Sequence, residues 1–200
     1  MKKVVFMLFA LCHAVFSFAQ HTHLTLEESK EIKEIAMKKV ESFQADCKKI
    51  ADSNIPFHKK TSKNGYIDMT MLDFMEDAKI RVTSLDRKNF TEKPVKQYLK
   101  RLALLSNRVY KMEDFTLSDI AFSADFVPEP LRGKNRYVGE LCYNRILKAN
   151  HQDTGKKKHL NEKMAVRVRI HAHRKSIVSD GKEGTFWDVK LGNITAKNLE

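Results

Sequence analysis

The stretch that decides the fold is Ala165-Val166-Arg167-Val168-Arg169-Ile170-His171-Ala172-His173-Arg174-Lys175. Val166, Val168, Ile170 and Ala172 point one way, and Arg167, Arg169, His171 and His173 point the other. Successive side chains of an extended strand project to opposite faces, so this alternation marks a strand with one buried face. Downstream, Gly181 and Gly184 turn the chain, and Thr185 to Ala196 closes it with Phe186, Trp187, Val189, Leu191 and Ile194. Upstream, Ala149 to Asn161 reads as a polar loop around Gly155 and Lys156-Lys157-Lys158. Before it, Arg136 to Lys148 is a long strand marked by Tyr137, Val138, Leu141, Tyr143, Ile146 and Leu147. Pro128, Pro130 and Gly133 form a turn region, preceded by one or two strands over Tyr110 to Phe126.

The first half is more helical. Thr25 can cap a helix, and Glu28 three residues later completes a capping box. The helix is expected over Leu26 to Ala51, because Ile32, Ile35, Ala36, Val40, Phe43, Cys47 and Ile50 recur at spacings of three and four. Asp52 to Asn64 reads as a basic connector, and Ile67 to Met75 fits either a helical turn or a loop. Ala78, Ile80 and Val82 alternate with Lys79, Arg81 and Thr83, a strand pattern. Pro94 fits the first turn of a helix to Ser106, with Val95, Tyr98, Leu99, Leu102 and Leu105 as its buried stripe. The fold class is therefore α+β: antiparallel sheet packed against N-terminal helices. A small closed barrel is the structural alternative.

Residues 1–19 carry a different message. Met1-Lys2-Lys3 is a short basic start, Val4 to Phe18 is nearly all apolar, and Ser17-Phe18-Ala19 matches a signal-peptidase site. The apolar run is about 15 residues, against roughly 20 for a membrane span. A signal peptide over 1–19 is expected, cut before Gln20, then a polar tail over 20–25 and one α+β domain over 26–200. An uncleaved anchor is the alternative; a lipid anchor on Cys12 is disfavoured by Leu11 before it. The expected product is soluble, exported, and periplasmic or extracellular in a Gram-negative bacterium. Losing Lys2 and Lys3 lowers the formal charge from +12 to +10. That surplus favours an anionic small molecule, a glycan or an acidic protein, with nucleic acid disfavoured by export. A basic surface that simply maintains solubility explains it equally well.

Cys47 and Cys142 remain after cleavage and are read either as buried thiols or as a bridge. No catalytic motif, cofactor signature or metal motif appears. The best candidate site is the face of Arg167, Arg169, His171 and His173. The two arginines lie about 7 Å apart along the strand, and a guanidinium fork suits carboxylate, sulfate or phosphate. A solvated face is the bland alternative. His21 and His23 near the new terminus, and His151 and His159 in the basic loop, read as polar surface.

The order of elements resembles the cone-shaped fold of the nuclear transport factor 2-like (SnoaL-like) superfamily over about Leu26 to Ala196. The resemblance rests on layout and on Ala78-Lys79-Ile80-Arg81-Val82, Pro94-Val95-Lys96-Gln97-Tyr98-Leu99, Arg136-Tyr137-Val138-Gly139-Glu140-Leu141 and Phe186-Trp187-Asp188-Val189-Lys190-Leu191. It implies a strongly curved sheet that wraps a helical layer and leaves a pocket. It also implies that Asp73, Asp77 or Tyr98 could line that pocket; Trp187 reads as filling the concave core or capping its rim, with a stacking platform for a sugar or nucleobase as the alternative. The connector over Asp52 to Asn64 departs from the tidy second helix of many members. The leading expectation is an exported, non-enzymatic binding or accessory protein of the cell envelope that takes an anionic ligand or acidic partner. The alternatives are a small pocket enzyme using general acid–base chemistry, and an oligomeric structural component.

Overall fold

A computed structural model describes residues 23–84, 87–108, 110–151, 159–179 and 181–199. The proposed leader, His21 and the Lys156–Lys158 run lie outside these residues. The chain opens with helix α1 (Leu26–Ala51), capped as its sequence requires. Glu28 N donates to Thr25 Oγ1 at 3.1 Å, and Thr25 N donates to Glu28 Oε2 at 2.9 Å. Such a pair satisfies two backbone donors that a helix start leaves open. Ile32, Ala36, Val40, Phe43, Cys47 and Ile50 form its buried stripe.

Two short helices follow, α2 (Phe57–Thr61) and α3 (Tyr66–Met71). The basic connector thus contains a helical turn, held by a fully buried lysine. Lys60 Nζ donates to the Asp52 carbonyl at the end of α1, at 2.6 Å. Gly65 is required between the two helices, since a Cβ there would sit 2.7 Å from the Lys59 carbonyl oxygen.

The rest is sheet, interrupted by one helix: β1 (Lys79–Ser84), β2 (Arg87–Pro94), α4 (Val95–Arg108), β3 (Tyr110–Pro128), β4 (Arg136–His151), β5 (His159–Ser179) and β6 (Lys182–Asn198). The six strands run in the order β2-β1-β6-β5-β4-β3, and the sheet does not close. All neighbours are antiparallel except β1 and β6, which pair in parallel with Ile80 beside Ile194. The sheet is therefore mixed rather than wholly antiparallel. A parallel bridge of Phe74 to Leu191 extends it beside β6.

Two expectations shift. Pro94 ends β2, and the helix begins at Val95. Strand β2 has one sheet neighbour and one large apolar residue, Phe90, which carries the Arg81 guanidinium at 4.2 Å. The expected loop over Ala149 to Asn161 is shorter, because β4 and β5 pair out to Asn150 and His159. Strand β3 is one long strand whose register slips four times against β4. Bulges bend a strand and raise its twist, and here they curve the sheet around α1 and α4. Gly139 helps: a Cβ at that position would lie 2.8 Å from the Phe126 ring.

The core sits between the concave face and the helices. It includes Leu141, Val166, Val168, Ile170 and Leu191 from the sheet, with Ile32, Val40 and Leu99 from the helices. No helix among the described residues is long and apolar enough to cross a membrane.

Candidate functional site

The inner face of β4 reads Tyr137, Gly139, Leu141, Tyr143 and then Arg145, all buried. The period of two carries a guanidinium into the interior, where Arg145 is 6 % exposed. Its surroundings are a sulfur, a ring and hydroxyls. Arg145 Nη2 lies 2.7 Å from Met164 Sδ across the β4–β5 register, and the guanidinium sits 5.4 Å from the Phe115 ring centre. The Tyr98 hydroxyl from α4, the Tyr143 hydroxyl and Cys47 are close enough to feel its charge. Gln44 Nε2 of α1 donates to the Tyr143 hydroxyl at 2.8 Å. Gln44 Oε1 and Arg145 Nε have no hydrogen-bond partner among the described residues.

Arginine stays protonated in protein interiors, so a positive charge stands here; burial opposes it, Tyr98, Tyr143 and Cys47 favour it, and no carboxylate pairs with it among the described residues. Burial raises the Tyr98 hydroxyl above its ordinary value, and Arg145 pulls it partly back. The same opposition acts at Tyr143. Burial drives the Cys47 thiol up to about 12, which keeps it protonated and a poor nucleophile. Glu162, half-buried on β5, is raised by desolvation, with Arg145 opposing. Phe115 also lines a cleft of about 290 Å3 between the end of α1 and the start of β3. Its ring thus stands between that cleft and the guanidinium.

The outer face of the same strands forms a second cluster. Arg169 donates to Glu129 Oε1 at 3.1 Å, and His171 Nδ1 lies 2.9 Å from Glu129 Oε2. Arg132 approaches Glu129 at 3.7 Å and Asp77 at 3.1 Å. Glu129 belongs to the β3–β4 turn, which folds over β5. These residues line a cleft of about 430 Å3 with Val138, Gly192 and Asn193. Burial lowers the His171 pKa, while Glu129 opposes the shift. A neighbouring cleft of about 290 Å3 shares Glu129 and His171 and adds His173, Lys175 and Asp188. Burial lowers His173 as well, followed by Arg136 and Lys175.

The expected site residues therefore separate. Arg169 and His171 meet in the larger cleft, His173 lines its neighbour, and Arg167 pairs with Glu140 at 3.7 Å. Of the expected pocket residues, only Tyr98 reaches Arg145. Asp73 pairs with Lys39 of α1, and Asp77 faces outward, its carboxyl held below the usual range by Arg132. Trp187 packs edge-on against Tyr137 at 5.8 Å, with Arg174 over its ring at 5.4 Å. It closes the core beside Glu28, which pairs with Arg174. Cys47 and Cys142 are free. Cys47 faces the core from α1, whereas Cys142 lies between inward-facing Leu141 and Tyr143 and points out, so a bridge cannot form. Among the described residues no group of three or more His, Cys, Asp or Glu is placed to hold a metal.

Arg145, Gln44, Glu162 and Glu129 escape the sequence reading. The signal for Arg145 is present: it continues the parity of Tyr137, Leu141 and Tyr143. Its charge argues for solvent, and the strand overrules it.

No protein-family model matches the chain, and no curated protein matches it. A solved structure from Novosphingobium aromaticivorans DSM 12444, assigned as a scytalone dehydratase, is similar at 13% identity with a TM-score of 0.43. The match covers 86% of this chain and 89% of that one.

Proposed function

We propose that this is an exported protein that acts on a small carbonyl or carboxylate compound by general acid–base chemistry between the helices and the sheet. The observation that supports it is the buried Arg145 guanidinium without an ion-paired carboxylate among the described residues. A buried charge is costly unless something compensates it. A substrate oxygen that gains negative charge would do so, and fixed donors in a dry site stabilise such charge strongly. Tyr98 would hand a proton to that oxygen. Glu162, whose carboxyl is raised by burial, would in its ionised form take the proton from the carbon beside the carbonyl and return it to the product. The reaction class is proton transfer beside a carbonyl, as in an isomerase or dehydratase.

Export rests on residues 1–19, and the mature protein would begin at Gln20. The non-catalytic reading, an anion or acidic-partner binder, draws on the outer face, where Arg167 and Arg169 already hold Glu140 and Glu129.

Deuterium uptake by a panel of small 2-oxo acids and aldehydes, followed by NMR in heavy water, tests the proposal. Wild type should accelerate exchange for at least one compound. Arg145→Gln and Tyr98→Phe should each lower that rate at least about a hundredfold, the low end of one general acid–base contribution. Exchange that persists in both folded variants, or is absent with every compound, overturns it.

A further inference from the structure

We propose that the larger cleft on the outer face of the sheet is a separate binding site, for a small hydroxylated carboxylate. It is independent of Arg145, which lies on the opposite face of β4. The cleft measures about 430 Å3, within the usual range for small-molecule sites.

Its acceptors are largely committed and its donors are not. Both oxygens of Glu129 are engaged, Oε1 by Arg169 and Arg132 and Oε2 by His171. Asp77 gives one oxygen to Arg132 and is otherwise mostly in water. A guanidinium has five N–H donors, so Arg169 and Arg132 both retain free donors beside the cavity. Asn193 lines the cleft, and its Oδ1 accepts from the Lys79 backbone N–H at 2.9 Å, which leaves its amide NH2 without a partner among the described residues. A planar carboxylate is the acceptor that matches a guanidinium fork two-to-two.

His171 adds a requirement of the opposite sign. Its Nδ1 faces a carboxylate, so Nδ1 carries the proton and Nε2 is left as an acceptor. Burial favours the neutral ring. Nε2 calls for a ligand donor, which a hydroxyl supplies. Gly192 preserves the room: a Cβ there would lie 2.7 Å from His171 Nε2. The wall above is the β3–β4 turn, which doubles back through Gly133 at φ 113° and Asn135 at φ 58°. Ion pairs at Glu129 and Arg132 tie that turn to β5 and to the loop before β1.

The test is titration of the whole protein with malate, succinate and inorganic phosphate, read by calorimetry and by the NMR shifts of the Asn193 side-chain amide. Malate should saturate and bind at least about threefold tighter than succinate, which lacks the hydroxyl, and the Asn193 amide should move. Arg169→Gln should weaken malate at least about tenfold, the loss of one charge-assisted hydrogen bond. His171→Phe should bring malate down to the level of succinate. Arg167→Gln, outside the cleft, and Arg145→Gln, inside the core, should each stay within about twofold of wild type. Equal losses in Arg167→Gln and Arg169→Gln would overturn the site in favour of diffuse charge attraction. So would an unmoved Asn193 amide in wild type, an observation that does not depend on any variant folding. Phosphate binding as tight as malate would overturn the carboxylate assignment.

Discussion

On β4 and β5 the two faces of one sheet handle arginine in opposite ways. Outside, Arg167 and Arg169 are more than half exposed and each finds a carboxylate of the same chain. Inside, Arg145 is nearly sealed and meets hydroxyls, a ring and a sulfur. An exposed pair gains little, because water screens it and would solvate both partners anyway. A buried cation loses its hydration and has to be compensated locally. The outer arginines can therefore be read as a surface with its own order, and the inner one as a charge held by hydroxyls, a ring and a sulfur of the same chain.

This comparison can be broken, beginning with the largest effect. Leu141→Ala, on the inner face beside Tyr143, should cost about 2–5 kcal/mol in urea unfolding, while Arg167→Ala on the outer face should cost less than about 1 kcal/mol. Equal losses would mean that the faces are not distinct. Arg145→Met should instead stabilise the protein by about 1–3 kcal/mol, since a flexible apolar side chain removes the buried charge. Destabilisation would show that Tyr98 and Tyr143 already compensate it. Gly139→Ala should cost about 1–3 kcal/mol by pushing the Phe126 ring off β4.

The smallest effect is a pH dependence. The His171 pKa in the folded protein lies below its ordinary value of 6.5, so the unfolded chain takes up that proton more readily. Its contribution to stability is present above pH 6.5 and is lost as pH falls through 6.5 toward the folded value. His171→Asn should flatten the acid side of a stability–pH curve. An unchanged slope would show that Glu129 offsets the burial of the ring.

Sequence patterns reveal the scaffold better than the sites. The capping box of Thr25 and Glu28, the stripe of α1 and the alternation of β5 are local signals, and all three appear in the structure. Strand β2 is obscure because an edge strand needs little apolar content. The helical turn over Phe57–Thr61 is obscure because its anchor, Lys60, is a charged residue whose stem is buried against the end of α1. The sites depend on distant partners. Glu129 becomes a hub only when its turn meets a strand 40 residues later. Tyr98 and Arg145 come together only once α4 lies across the curved sheet.

Trp187 has one more consequence. It is the single tryptophan of the chain, and it stands with Tyr137 and a guanidinium at one end of the core. Along β4, Tyr137 and Arg145 are eight residues apart, roughly 27 Å of extended strand. The protein thus carries one indole fluorophore, placed where the start of α1 docks on the sheet. Its emission reports whether that end is sealed, and it is nearly blind to events at the arginine.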